Sequence, residues 1–459
     1  MSHVYRTQDP ATGELIKEYP FASDDEIQEV LTRSAEAYTS WSAMEMSARG
    51  QILLKLADLF EENAEKMAAQ VTREMGKSRA EALWEVGFCA QIIRYYATEG
   101  ERLTADEELK NIDGQRAILR RRPLGPILGI MPWNFPYYQV LRLAAPNLML
   151  GNTIILKHAE ICAGTALMIQ DLMTQAGVID GAYLNVFATH DQISTIIADP
   201  RVQGVSLTGS ERAGAAIAEQ AGRHLKKAVL ELGGSDPYII LDSSNIAETA
   251  RQAFGARMFN TGQACTSNKR LIVMDEIYDE FIDELTKLFA ELTPGDPANS
   301  QEGEYAPLSS QAAAEGLLSQ IEDARAAGAQ VLVGGTRPDL PGYYVAPTVM
   351  TDIPKTARAY TEELFGPVAM VYRVKTAQEA IELANSSSYG LGGSVFSTDE
   401  QRAQKVADQL SVGMVHINGF NVGGADLPFG GVKRSGFGRE LGPYGMDEFV
   451  NKQLFTITD

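Results

Sequence analysis

Three cysteines, Cys89, Cys162 and Cys265, are too few to staple a chain of 459 residues. A disulfide framework is excluded, and a reducing, cytoplasmic setting is expected. Histidine is scarce too. His3, His158, His190, His224 and His416 are scattered, with no HExxH pattern and no Cys/His cluster, so no metal site is expected. No apolar run is long enough to span a bilayer. The opening MSHVYRTQDPATGELIKEYP has neither a signal-peptide apolar core nor an Arg-rich amphipathic pattern. Positive charge is the minority sign: 40 Lys and Arg face 60 Asp and Glu, a formal net charge of −20. Without a basic stripe, such a surface repels nucleic acid and anionic lipid alike.

What remains is ordinary globular composition, 45% apolar and 22% charged. At roughly 150 residues per domain, two or three domains are expected. The first hundred or so residues read as helix-rich. Ile52, Leu56, Leu59, Phe60, Met67 and Val71 form a helical stripe after Ser47, a candidate N-cap, and Gly76 ends it. Short apolar runs then alternate with helical patterns. The runs are Ile127–Met131, Thr153–Leu156, Leu184–Phe187, Val205–Leu207 and Val229–Leu232; the helices include Ala163–Ala176 and Ala213–Gly222. A second series follows, with runs at Tyr238–Leu241, Arg270–Met274, Gln330–Val333, Val368–Val374 and Val412–Asn418, and helices at Tyr278–Leu292 and Ala312–Ala327. Strands alternating with helices predict parallel sheets covered on both faces. Two α/β units in series are expected, joined near Glu231–Asp236. The polar stretches Asn111–Pro123 and Arg439–Asp459 stand apart, either as a hairpin and terminal strand meeting another subunit or as solvated loops.

Several residues have the chemistry of a site. Cys265, in FNTGQACTSNKR, occupies a polar, glycine-containing turn beside Lys269 and Arg270, where a thiol can be reached and its thiolate stabilised. Cys89 and Cys162 lie among small and apolar residues and read as inert. Glu231 ends a strand before Gly233–Gly234, where a carboxylate faces the binding crevice and can act as a base, or simply sits at the surface. Asn134, between Trp133 and Phe135 in a turn bracketed by Pro132 and Pro136, either satisfies its own backbone or donates to an oxyanion. No GxGxxG follows an early strand. Gly209 and Gly214 instead bracket Ser210 and a helix start, where free N–H groups can meet a pyrophosphate or simply pack closely. Lys157 and Glu160 follow a strand and can hold ribose hydroxyls, or form a solvated pair.

The order of these elements is more specific than any one of them. PWNFP, the K-x-x-E after a strand, TGS…G, ELGG, NTGQxC, EELFGP and PFGGVKRSGFGRE resemble the aldehyde dehydrogenase superfamily. The likeness runs from residue 5 to 455 and is nearest to shorter bacterial members related to succinate-semialdehyde dehydrogenases. It implies an α/β fold with a Rossmann-type cofactor domain (residues 1–110 and 124–232), a catalytic α/β domain (233–438) and a small β oligomerisation flap (111–123 and 439–459). It implies NAD or NADP as cofactor, a small aldehyde as substrate, most simply succinate semialdehyde, and a homodimer or homotetramer.

Carried over position by position, the resemblance makes Cys265 the nucleophile, Asn134 the oxyanion donor and Glu231 the base that activates water. Lys157 and Glu160 would hold the adenosine ribose, with Gly209 and Ser210 at the pyrophosphate. Glu363 would hold the nicotinamide ribose, with Phe365, Trp133 and Leu232 lining the cleft. Arg142 lies about two helical turns past Asn134, where succinate-semialdehyde enzymes resemble one another in an arginine for the distal carboxylate. The sequence departs from the pattern at His158, in place of a proline, at Ser267, in place of a second cysteine, and at Phe259, in place of a second substrate arginine. Glu160 would repel a 2′-phosphate, whereas His158 could neutralise one; NAD is expected to serve at least as well as NADP. The alternatives are an enzyme of another short aliphatic, hydroxy or aromatic aldehyde, an acylating or phosphorylating relative, a cofactor-free cysteine hydrolase, and a non-catalytic protein on the same fold.

Overall fold

A computed structural model describes residues 4–110, 114–420 and 423–457. Residues 111–113 and 458–459, the outer parts of the two segments expected to stand apart, lie outside the described residues.

The alternating pattern folds into two large sheets. The first has six strands in the order Gly436–Phe437, Lys227–Glu231, Gly204–Thr208, Pro126–Met131, Thr153–His158, Tyr183–Asn185. All neighbours are parallel except Gly436–Phe437, which returns from late in the sequence to pair antiparallel with Leu230 and Glu231. The second has seven strands, Gln330–Val333, Thr348–Thr351, Val368–Val374, Arg270–Met274, Pro237–Ile240, Gly392–Phe396 and Met414–Ile417. It is parallel apart from its Gln330–Val333 edge. The chain passes from one sheet to the other between Glu231 and Pro237, so the carboxyl end of one central strand meets the beginning of another. Thr348–Thr351 and Gly392–Phe396 are strands that the apolar runs do not reveal.

Helices cover both sheets. The stripe after Ser47 is two helices, Met46–Glu62 and Ala64–Met75, and not one. Ser47 lies inside the first, whose cap position is Glu45 with no side-chain hydrogen bond. The break falls at Asn63, whose amide donates to Leu59 O at 2.8 Å and ends the first helix. Gly76 closes the second with φ +82°, a conformation that favours glycine. Leu56, Phe60, Met67 and Val71 are fully buried against the first sheet's helices. A smaller sheet lies apart, with Arg116–Pro123 between Glu107–Leu109 and Val450–Ile457. Among the described residues, no helix is long and apolar enough to cross a membrane.

Candidate active site

The turn that carries Asn134 is anchored from below. Lys77 and Glu85 form a fully buried ion pair. Glu85 Oε1 accepts from the backbone N–H groups of Tyr137 and Tyr138, at 2.8 and 3.0 Å, where helix Tyr138–Leu150 begins. A carboxylate at that helix start stabilises the free N–H groups and the positive end of the dipole. Lys77 Nζ also sits 3.7 Å from the Phe135 ring centre. The Asn134 side chain, almost fully buried, donates to Gln263 O at 3.1 Å. The amide has two N–H groups, so one donor remains for the cavity.

The turn that carries Cys265 is tied from the opposite side. Phe259–Gly262 is tight, with Asn260 and Thr261 at φ +52°. Gly262, at φ +71°, runs so near the chain that a Cβ there would lie 2.2 Å from Gly366 O. Buried Arg257 fastens the turn, donating to Gly262 O at 3.2 Å, Ser267 Oγ at 2.6 Å and Leu364 O at 2.9 Å. Segment Glu363–Gly366 is thereby fixed against the cysteine loop.

Between these turns lies a cavity of about 250 Å³. Its lining brings together Cys265, Glu231, Asn134, Trp133, Glu363 and Phe365, with Gly209, Ser210 and Leu232 on the side of the first sheet. Trp133 and Phe365 meet edge to face at 5.6 Å. Gln139 and Thr208 line it too, and sequence reasoning did not single them out. Gln139 is buried with an unpartnered Oε1; its place one helical turn beyond Asn134 was the available signal. Lys157, Glu160 and Arg142 are absent from this lining.

Arg142 is where the structure corrects the expectation. Its side chain has no exposed surface and pairs with Glu440. Its guanidinium also donates to Tyr138 Oη at 3.3 Å and Thr208 Oγ1 at 3.2 Å, and lies 4.4 Å from the Phe429 ring centre. Burial opposes its charge, but Glu440, Tyr138 and Glu231 more than offset this and hold it protonated. In this arrangement the guanidinium serves an internal carboxylate and lies outside the cavity lining. Phe259 packs on Phe135 at 5.4 Å and against Trp84 at 5.3 Å, an aromatic cluster with no cation. Arg270, expected beside the thiol, turns away to Ala384 O at 3.2 Å and Ser386 Oγ at 3.2 Å.

The electrostatics separate the groups. Burial pushes the Cys265 thiol up to about 12, while Lys269 and then Arg142 pull it down. Glu231 has both oxygens buried without a hydrogen-bond partner. Burial raises it well above the carboxylate range, against the pull of Arg142. A carboxyl in that state can exchange a proton with a water or a thiol in the same cavity. Among the described residues there is no cluster able to hold a metal.

At the far end of the first sheet, Lys157 is half-buried and Glu160 exposed. His158 corrects a second expectation. It is fully buried, its Nε2 lies 2.9 Å from Pro136 O, and its Nδ1 accepts from Ala159 N–H at 2.7 Å. Burial pulls it down to about 4, so it is neutral and cannot balance a 2′-phosphate. In the unfolded chain it binds a proton near its ordinary 6.5. The unfolded state therefore takes up more protons as pH falls from about 6.5 to 4, and stability of about 3 kcal/mol drains away over that window. Urea midpoints measured from pH 7.5 to 4.5 should fall less steeply for His158→Gln than for the parent; parallel slopes would refute a buried neutral imidazole.

A two-sheet α/β protein with a thiol, an unpartnered carboxyl and an amide donor round one crevice has the parts of an enzyme that works through covalent catalysis. The chain belongs to the aldehyde dehydrogenase family, whose model matches residues 2–455. It is 51% identical over 450 residues to a succinate-semialdehyde dehydrogenase, NADP(+), of Deinococcus radiodurans, covering 98% of this chain and 94% of that one. An enzyme of the same name from Mycobacterium avium is 42% identical over 454 residues, 98% of this chain and 96% of the other. The crystal structure of succinic semialdehyde dehydrogenase from Streptococcus pyogenes in complex with NADP+ superposes with a TM-score of 0.97. It is 42% identical, and the match covers 99% of this chain and 100% of that chain.

Proposed function

We propose that this protein oxidises a short aldehyde to its carboxylic acid with a nicotinamide cofactor, and that succinate semialdehyde is the substrate. The cavity shared by Cys265, Glu231, Asn134 and Glu363 carries the activity; the names of the relatives support the substrate.

The crevice fits the cofactor. A Cβ on Gly233 would lie 2.4 Å from Glu363 Oε2, so the carboxylate reaches across bare backbone to the cavity. Glu363 Oε1 accepts from Gly234 N–H at 3.1 Å, leaving Oε2 for ribose hydroxyls. Ser210 caps helix Glu211–Arg223, accepting from Ala213 N–H at 3.3 Å, and the helix start with Gly209 would hold the pyrophosphate. Lys157 and Glu160 would take the adenosine ribose, and Trp133, Leu232 and Phe365 would enclose the nicotinamide. When bound, the nicotinamide supplies the two-electron acceptor that turns a thiohemiacetal into a thioester.

The chain's own groups do the rest. Cys265 Sγ attacks the aldehyde carbon, and its proton passes to solvent or to Glu231. The Asn134 amide and the Cys265 N–H donate to the oxyanion. Glu231, once it has released any proton to solvent, takes one from water, whose oxygen adds to the thioester; the acid leaves and the departing Cys265 sulfur regains a proton. Such a base argues against an acyl acceptor other than water. No histidine lines the cavity, which disfavours a cofactor-free cysteine hydrolase.

Asn134→Ala is expected to lower kcat on the order of a hundredfold, as for other lost oxyanion donors. A change confined to KM would show that the amide only shapes the cavity.

The exposed Glu160 carboxylate disfavours a 2′-phosphate, so NAD is expected to serve at least as well as NADP, although the relatives are named for NADP(+). The decisive experiment is a panel of succinate semialdehyde, butyraldehyde, glycolaldehyde and benzaldehyde, followed at 340 nm with each cofactor. Succinate semialdehyde should give the highest kcat/KM. A flat trace across the panel would overturn the activity, and a preference for butyraldehyde would overturn the substrate.

The sheet edge at Val450–Ile457, with Leu454 58% exposed, supports a homodimer or homotetramer built on that strand. Sedimentation at the monomer mass would refute it. Three unpaired cysteines support a cytoplasmic site.

A further inference from the structure

Lys269 is fully buried, and its ammonium has three N–H donors. Each finds an acceptor: Ala264 O at 2.8 Å, Cys265 O at 2.7 Å and Glu363 Oε1 at 3.0 Å. Two of these belong to the loop that carries the thiol, and the third is the carboxylate at the ribose end of the same cavity. Glu363 Oε2 has no hydrogen bond among the described residues and faces bare backbone at Gly233. A buried lysine is costly to keep charged unless its donors are satisfied and an anion lies against it, and here both conditions are met.

We infer that Lys269 is a positioning residue that ties the nucleophile to the cofactor site: its ammonium holds Glu363 with Oε2 turned to the ribose and places a positive charge behind Cys265. The inference deepens the proposed dehydrogenase reading and rests on it for the identity of the ligand at Glu363. Cys265 feels Lys269 and Arg142, which favour its thiolate, and Glu363 and Asp236, which oppose it. Tyr138 faces it as well, and Glu231 shares its cavity. Lys269 is flanked by Glu363 and Asp236, and Glu363 also feels the charge of Arg257. Asp236, which burial pushes up to about 6 against the pull of Lys269, is the second anion behind the loop.

The two ends of the pair act on the thiol with opposite sign. Removing the ammonium by Lys269→Met should raise the pH at which Cys265 becomes reactive; removing the carboxylate charge by Glu363→Gln should lower it. Both variants should weaken cofactor binding, because one loses the group that orients Glu363 and the other loses the acceptor itself.

The test uses the cofactor-free protein. Carbamidomethylation of Cys265 by iodoacetamide is followed by peptide mass from pH 6 to 11, and NAD and NADP are titrated against tryptophan fluorescence. For Lys269→Met the alkylation profile should move up by about one pH unit or more, and the cofactor Kd should rise roughly tenfold. For Glu363→Gln the profile should move down. A folded Lys269→Met protein with profile and Kd unchanged overturns the inference, as do shifts of the same sign in both variants. If Lys269→Met does not fold, Glu363→Gln decides alone: a fall supports the inference, and no change or a rise overturns it. A parent protein inactive on every aldehyde would instead sink the dehydrogenase reading, and the alkylation profiles would still report on Lys269.

Discussion

Cys265→Ala is expected to reduce aldehyde oxidation on the order of ten-thousandfold or more, with cofactor binding intact. The loss should be that large because no other group in the cavity can form the covalent adduct. Cys89 and Cys162 are fully buried, and burial raises both thiols well above the ordinary range. The proposed binding surfaces should survive, since Glu363, Ser210 and Trp133 are held by contacts that do not involve the Cys265 side chain. Fluorescence titration of cofactor and a 340 nm assay on the same preparation separate the two effects. Activity within tenfold of the parent would remove Cys265 from the mechanism.

The second large effect is expected at Glu231. With Glu231→Gln, the first turnover should still release close to one equivalent of reduced cofactor per site, after which the rate should fall on the order of a thousandfold. Acylation precedes the need for a base to activate water, so burst and steady state part company. The parent enzyme adds a pH signature. In its proposed role as base, Glu231 can act only when it has lost its proton, and burial holds that event well above the usual carboxylate range. Steady-state turnover should therefore climb with pH above that range, and the climb should vanish in Glu231→Gln. A variant that loses the burst as well would show that Glu231 also takes the thiol proton.

The pattern of what was legible follows the range of each interaction. Ladders of β-branched and aliphatic residues are local, so Arg270–Met274, Gln330–Val333 and Val368–Val374 are strands to the residue. Gly392–Phe396 escaped because its two leading glycines carry no side chain to signal a pleat, although it is paired on both sides in the second sheet. Thr348–Thr351 is four residues long and shows no alternation. Motifs whose chemistry lies in one turn, around Asn134 and Cys265, were legible for the same reason. Arg142 was not, since its fate is decided by Glu440, nearly three hundred residues away in sequence yet in contact with it. Lys269 was visible only as a neighbour of the thiol. That all three of its donors are spent, one of them on Glu363, is a fact of tertiary packing. Arg257 gave no signal, because a helix position does not say where a long side chain ends.

The strand Gly436–Phe437 has a consequence for how the chain is made. Lys227–Glu231 gains its second neighbour only when Gly436 and Phe437 arrive, and Leu232 N–H finds its acceptor, Ser435 O at 2.9 Å, at the same moment. A ribosome delivers the chain from its N-terminus at roughly 5–20 residues per second, so about two hundred residues emerge while the strand bearing Glu231 is an open sheet edge. Through that interval the first sheet offers unpaired backbone to any other nascent copy. A stop codon or cleavage before residue 436 would leave that edge exposed for good, with Glu231 on it. Truncated products of this chain are therefore expected to aggregate through the strand that carries Glu231.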